Sequence, residues 1–395
     1  MTADPATADP VALAARPAAV SIAALFAVNG LQIGGIGGTL PAMRDRLDID
    51  ARGLSLLLLC FAASAVVSMQ IGGRLSDSLG ARRIALASAP TLIAGIALLA
   101  FASSLPWAIA AMLVAGIGNG GMDVSMNALG VQVEAARPRP IMSFFHACWS
   151  IGSLAGAGAV VLVSHLLDRT GGSVVMPSLL TLSVLGAIAY AGIVRIVPVA
   201  RTIEHVDEGG VRRKLPALAW VLGAMGFCFG IAEGTAVDWS SVHVTDVARI
   251  DPSTGALGLV AVSGFMVIIR LLGDRAVSRF GRRAVVRFGG LTALGGYLVT
   301  LFTQPLPLLL VGWSLVGLGM GMVAPQVYAV AGHIGGGRML AVVVTFGYAA
   351  FLIGPVIIGG LVSWVGVQDA MVLPMILAAA LVAISAGLPH RDDET

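Results

Sequence analysis

Charge is scarce in this 395-residue chain. Only 11% of residues are charged and 57% are apolar, against roughly 25% charged in soluble globular domains. So little polar surface cannot solvate a soluble fold of this length. Cysteine is nearly absent as well. Cys60, Cys148 and Cys228 all fall inside apolar runs, which argues against a disulfide framework, and their spacing suits no metal site. A phosphate-binding loop would need a strand before it and a helix after it. Glycine-rich runs such as Gly34-Gly-Ile-Gly-Gly38 have neither, and read as helix-packing features. ATP drive and bound cofactors are therefore not expected. The first ten residues lack any basic side chain and read as a short tail rather than a cleaved signal. The net charge of +3 comes mostly from loop arginines. It reports orientation in a membrane, not a nucleic-acid partner.

What the chain has in abundance is apolar length. A membrane helix needs about 20 mostly apolar residues, and twelve stretches qualify: 18–41, 54–75, 84–102, 106–131, 141–166, 177–197, 215–242, 255–273, 285–302, 307–333, 339–364 and 370–388. The predicted fold class is an all-α membrane protein of twelve transmembrane helices. Glycine, 51 residues, is about twice its usual share of roughly 7%, which predicts many close helix crossings. The longest polar connection, 198–214, follows the sixth span and carries Arg201, Glu204, Asp207, Glu208, Arg212, Arg213 and Lys214. It divides the chain into a tail at 1–17, a six-helix bundle at 18–197, a second bundle at 215–388 and a tail at 389–395.

The two bundles repeat each other. Ile71-Gly-Gly-Arg-Leu-Ser-Asp-Ser-Leu-Gly-Ala-Arg-Arg83 aligns without a gap, 200 residues on, with Leu271-Leu-Gly-Asp-Arg-Ala-Val-Ser-Arg-Phe-Gly-Arg-Arg283. Gly73/Gly273, Arg82/Arg282 and Arg83/Arg283 then coincide. Further on, Gly116-Ile-Gly-Asn-Gly120 in span 4 matches Gly317-Leu-Gly-Met-Gly321 in span 10, and Leu154-Ala-Gly156 in span 5 matches Leu352-Ile-Gly354 in span 11. Internal repeats of this kind are how many transporters are built. With the N-terminus placed in the cytoplasm, eighteen of the 24 basic residues fall on the cytoplasmic side. Five (Arg44, Arg46, Arg52, Arg169 and Arg249) fall outside, and Arg270 lies within span 8. That bias puts both termini inside.

These features resemble the major facilitator superfamily over essentially the whole chain. Its signature between helices 2 and 3, Gly-x-x-x-Asp-x-x-Gly-x-Arg-Arg, stands here as Gly73, Asp77, Gly80, Arg82 and Arg83. Within the superfamily the chain is most similar to the fucose permease-like group of sugar–proton symporters. An acid followed four positions later by Asn in helix 4 is matched by Asp123 and Asn127, and a His early in helix 5 by His146. One departure lies in helix 1, where the group's Asp shortly before a Pro is matched by Gly37. The superfamily's drug–proton antiporters carry an Arg in helix 4 and a Gly-Pro pair in helix 5. Neither is present here, and Gly354-Pro355 falls in span 11.

The intramembrane polar residues are the candidate chemistry. Asn119, Asp123 and Asn127 are spaced i, i+4, i+8 and form one stripe on span 4. An acid at that depth costs roughly 2.5–3.5 kcal/mol on insertion scales. The stripe reads either as interhelical hydrogen bonding or as a proton carrier, Asp123, beside a solute site. Glu233, flanked by Gly230 and Gly234 in span 7, is a second candidate for proton or solute, or else a structural ion pair. Asp238 reads as interfacial, and Trp239 as an interface anchor or an aromatic platform for a sugar ring. Asn29 and Gln32 in span 1 can grip hydroxyl groups or neighbouring helices. His146 and Trp149 in span 5, and Gln326 and Tyr328 in span 10, complete the solute candidates. The resemblance makes Gly73, Asp77, Gly80, Arg82 and Arg83 a cytoplasmic gate, with Arg270, Gly273, Asp274, Arg282 and Arg283 as its second-half counterpart.

The sequence thus predicts a secondary active transporter, working as a monomer in the inner or plasma membrane lipid bilayer. It moves a small polar, sugar-like solute with protons by alternating access. Proton-driven export and a non-transporting receptor or assembly factor on the same scaffold are the alternatives. The acidic stripe argues against the last, because a pure scaffold gains nothing from its cost.

Overall fold

In hydrocarbon the backbone must satisfy its own hydrogen bonds, which leaves only helices and closed barrels. The computed structural model describes residues 16–137, 141–198 and 217–388. Among them it holds twelve helices long and apolar enough to span a membrane, and no strand. They are α1 Arg16–Leu47, α2 Ala51–Ser76, α3 Ala81–Ala100, α4 Leu105–Ala135, α5 Met142–Leu167, α6 Gly171–Ile193, α7 Ala217–Ala248, α8 Pro252–Gly273, α9 Arg282–Phe302, α10 Leu306–Tyr328, α11 Val342–Val365 and α12 Val367–Gly387. The fold class is therefore the predicted one: twelve transmembrane helices in two pseudo-symmetric six-helix bundles. Most of the two predicted tails and of the 198–214 connection lies outside the described residues, as do the side chains of Asp77 and Asp274.

Two boundaries differ from the sequence reading. Span 1 was expected to end at Pro41, but α1 runs on to Leu47. A proline ring clashes with the carbonyl of the residue four positions earlier. That residue is Gly37, whose missing Cβ leaves the backbone room to adjust. Spans 10 and 11 were expected to part at 334–338. Instead, helical backbone runs unbroken over Val323–Val365, with Pro355 as its internal proline beyond the first turn.

The repeat also has a different register. Gly80 (φ 85°, ψ 139°) and Gly281 (φ 79°, ψ 159°) adopt the same left-handed conformation, each immediately before the next helix. They are 201 residues apart, not 200. Only glycine enters this region freely, so the turn rather than the arginine pair sets the alignment. The packing obeys the same register. A Cβ on Gly116 would lie 2.3 Å from the Phe61 carbonyl oxygen, and one on Gly317 2.1 Å from that of Val262. Gly118 would meet the Leu92 nitrogen at 2.1 Å and Gly319 the Ala293 nitrogen at 2.5 Å. Each member of these pairs is again 201 from its counterpart. Arg82 therefore corresponds to Arg283, and Gly72 rather than Gly73 to Gly273.

The chain divides into two compact units. One takes the described residues of Met1–Ile36, Cys60–Gly156 and Met176–Gly209; the other takes those of Gly37–Leu59, Ala157–Val175 and Gly210–Thr395. The second unit thus includes the distal ends of α1 and α5 and the start of α2. Its own contacts explain why. Arg44 of α1 forms a two-pronged ion pair with Asp246 of α7, at 2.7 and 2.6 Å. Ser164 of α5 shares a 2.7 Å hydrogen bond with Ser253 of α8. Asp251 accepts from the Gly171 backbone nitrogen at 3.1 Å and from the Ser253 side chain.

The topology has a direct check. Ser78 and Ser278 both lie exposed, in the last turns of the helices that continue α2 and α8. Single cysteines at either position, in a background lacking Cys60, Cys148 and Cys228, should react with an impermeant maleimide only from the cytoplasmic side. Labelling of the two from opposite faces would overturn the twelve-span arrangement.

Candidate functional site

In the first unit, glycines decide where the polar side chains stand. Cβ atoms added to Gly30, Gly34, Gly152 and Gly156 would lie 2.0, 2.1, 2.1 and 2.2 Å from the backbone oxygens of Trp149, Ser153, Ala27 and Leu31. Helices α1 and α5 therefore meet backbone to backbone, as small-xxx-small faces allow. This approach brings Asn29 against both α4 and α5. Its Nδ2 donates to Asn119 Oδ1 at 2.9 Å, and its Oδ1 accepts from Trp149 Nε1 at 2.8 Å. Asn29 is only 3% exposed, while Asn119 and Trp149 are half-buried.

One turn further along α4, Asp123 Oδ1 accepts from Asn127 Nδ2 at 3.2 Å, and the same amide reaches the Asp123 carbonyl at 2.8 Å. Among the described residues no cation pairs with Asp123. The ion pairs there join Arg44 to Asp45 and Asp246, and Arg270 to Glu233. The His146 ring sits edge-on to Phe26, centroids 5.2 Å apart. The structure therefore brings Asn29, Asn119 and Trp149 into one chain, with Asp123 and Asn127 next to it. Gln32 points elsewhere: buried, it donates to the Leu182 carbonyl of α6 at 2.9 Å and ties two helices together.

The second unit uses charge where the first uses amides. Glu233 Oε1 accepts from an Arg270 guanidinium nitrogen at 3.1 Å, and both side chains are buried. Arg270 Nε also donates to the Gly321 carbonyl of α10 at 3.2 Å. Arg270, grouped with the gate motif by sequence, is thus held in the unit's interior. Its signal was available, since a charge within span 8 calls for an opposite charge on a neighbouring span, and span 7 offers Glu233. Beside this pair is a buried aromatic cluster absent from the sequence reading. Tyr297 donates to the Ala232 carbonyl at 2.5 Å, its ring lies 5.8 Å from Trp313, and Trp313 Nε1 donates to His243 Nδ1 at 3.4 Å.

Four further residues complete the site. Trp239 is only 1% exposed, which does not suit an anchor at the membrane surface. Gln326 is buried and Tyr328 half-buried, and a Cβ on Gly347 would come within 3.0 Å of the Tyr328 hydroxyl. Arg82 of the loop motif donates through Nε to the Val197 carbonyl at 2.8 Å and through a terminal nitrogen to that of Val194 at 3.5 Å. A cation placed there satisfies carbonyls left open by the end of α6 and complements the helix dipole.

Twelve spanning helices, an internal repeat and polar clusters buried within the spans define a membrane transporter. The family model for the Major Facilitator Superfamily matches residues 22–275, and the chain belongs to that superfamily. The uncharacterised transporter y4wD of Sinorhizobium fredii is 33% identical over 92% of this chain and 96% of its own. An uncharacterised MFS-type transporter of Yersinia pestis is 30% identical, covering 86% of this chain and 88% of its own. Membrane protein MosC of Rhizobium meliloti is 28% identical, covering 93% and 89%. Among solved structures, a mutant of the nucleoside transporter NupG superposes with a TM-score of 0.72 at 12% identity, covering 93% of this chain and 98% of that one. FucP in its outward conformation gives 0.66 at 14%, covering 96% and 100%. At those identities the two structures share the fold alone.

The buried pair carries a stability prediction. Removing one partner of a buried ion pair costs about 3–5 kcal/mol, whereas replacing both by apolar groups is often neutral. Arg270→Met should therefore lower the thermal unfolding midpoint in detergent sharply, and Glu233→Leu/Arg270→Met should recover most of the loss. A double variant no more stable than the single one would mean that the pair is not what Arg270 holds together.

Proposed function

We propose that this transporter carries a small polar, sugar-like solute together with protons by alternating access, as a monomer, in the inner membrane with both termini cytoplasmic. One observation supports the coupling most strongly: the contrast between the two acids. Glu233 is already neutralised by Arg270, so protonating it means breaking a buried pair. Among the described residues, Asp123 has only the Asn127 amide within hydrogen-bond reach. Its charge is tolerable while the cavity is wet and costly once the cavity closes. A protonated Asp123 is then the form that crosses with the solute. Asn127 is placed to bind both, and Asn29, Asn119, Trp149 and His146 supply the remaining polar wall.

The loop motif acts as the cytoplasmic gate in this reading. Arg82 anchors the end of α6, Asp77 with Gly73, Gly80 and Arg83 forms the rest, and Gly273, Asp274, Arg282 and Arg283 are the second-half counterpart. In this reading the two bundles, at 18–197 and 215–388, are the moving parts of alternating access.

A proton moving down the membrane potential supplies about 2.3 kcal/mol per 100 mV, roughly a fifty-fold accumulation of a neutral solute. Asp123→Asn mimics the protonated acid. In proteoliposomes the variant should keep counterflow exchange of solute but lose accumulation driven by a pH gradient. Accumulation with an intact pH dependence would remove Asp123 as the carrier and turn attention to Glu233.

A further inference from the structure

Asp238, read from the sequence as interfacial, has no part in the clusters described above. It lies within α7, four residues after Gly234, and the described residues offer it no hydrogen bond or ion pair. An unpaired carboxylate inside a span is expensive and is functional by default. It lines a cavity of about 10 Å³ between α7 and α11, together with Trp239, Gly234, Phe351 and Gly354. The glycines leave the space open: a Cβ on Gly234 would stop 3.9 Å from Phe351, and one on Gly354 4.0 Å from Ile231. The buried indole Nε1 of Trp239 also lacks a partner among the described residues. A donor left unpaired in that way costs about 1–3 kcal/mol.

We propose that Asp238 and Trp239 form a subsite for a single hydroxyl group of the solute. The volume matches about one water-sized group. The chemistry selects among such groups. A hydroxyl donates once and accepts as well, so it can bond to the Asp238 carboxylate and receive the Trp239 N–H together. An ammonium has three donors and no acceptor. It would find one carboxylate and face an N–H it cannot use. A hydroxyl satisfies both groups at once. Asp238 acts here as a binding group, distinct from the proton carrier Asp123. The inference rests on the sugar-like reading of the solute and adds to it a specificity-determining pair in the second unit.

The test compares wild type, Asp238→Asn and Trp239→Phe. Binding is read by thermal shift with a panel of aldohexoses, their monodeoxy analogues and the matching hexosamines. Wild type should bind one hexose and lose about 10- to 100-fold in affinity when one particular hydroxyl is removed. Asp238→Asn should bind the parent hexose that much more weakly and no longer distinguish it from that deoxy analogue. At saturating hexose its pH-driven uptake should keep the wild-type pH profile. Trp239→Phe, which preserves the ring, should give a smaller loss, and it provides a second reading should Asp238→Asn fail to fold. Parent-hexose affinity unchanged in both variants would overturn the subsite while leaving the transporter reading intact. So would loss of the pH profile in Asp238→Asn, which would make Asp238 a proton carrier. A wild-type preference for hexosamine that Asp238→Asn abolishes would overturn the hydroxyl assignment. If wild type binds none of the hexoses, the sugar-like reading falls and the subsite falls with it.

Discussion

The contact on which the first unit depends is the meeting of α1 and α5 through bare backbone. Lipid supplies no hydrophobic force to push helices together, so association relies on close packing and interhelical hydrogen bonds. At Gly30, Gly34, Gly152 and Gly156 a Cβ would penetrate the opposing backbone. The absence of side chains at those four points brings the helices near enough for Asn29 to reach Asn119 and Trp149 at once. The polar chain is thus a consequence of the glycines beneath it. A larger residue at Gly30 would push Trp149 away and leave the Asn29 amide half-satisfied in a buried setting, where unpaired polar atoms are costly.

The two units share this steric skeleton but not their chemistry. Gly116 and Gly317 abut equivalent carbonyls, and Gly80 and Gly281 take equivalent positive-φ turns. Yet the position equivalent to Asp123, 201 residues on, is Ala324, and the second unit instead carries the Glu233–Arg270 pair on different helices. Packing constraints repeat because each bundle has to bury the same helix crossings. Polar groups do not, because each one inside a membrane is retained only for a particular partner or use.

That difference explains what was legible in the sequence. Helix number and the doubled architecture rest on apolar length and glycine patterns, both of which are one-dimensional signals. The stripe of Asn119, Asp123 and Asn127 was visible because helical periodicity alone places it on one face. The Asn29–Asn119 bond joins residues 90 apart, and nothing in the spacing announces it. The 200-residue repeat was misread by one residue because identity matching weighs Arg82 and Arg83 equally with Gly80. Physically, the glycine in its positive-φ turn is the fixed point, and an arginine on an exposed loop can shift by one. Trp239 was open to two readings, interface anchor or aromatic platform, because a Trp near a span's end often marks the interface, and its burial, invisible in one dimension, speaks against the anchor.

The polar groups of the two units can serve one transport cycle only if they differ in what satisfies them. Arg270 already neutralises Glu233 and is itself braced on the Gly321 carbonyl of α10. A pair with that much support favours a fixed geometry, since breaking it would strand a buried charge. Among the described residues Asp123 has a single weak amide contact, at 3.2 Å, so gaining a proton there disturbs little. A coupling group has to be the one whose two protonation states are closest in cost, and a scaffold group the one whose states are farthest apart. By that criterion the amide-lined acid of α4 suits coupling and the arginine-paired acid of α7 suits architecture.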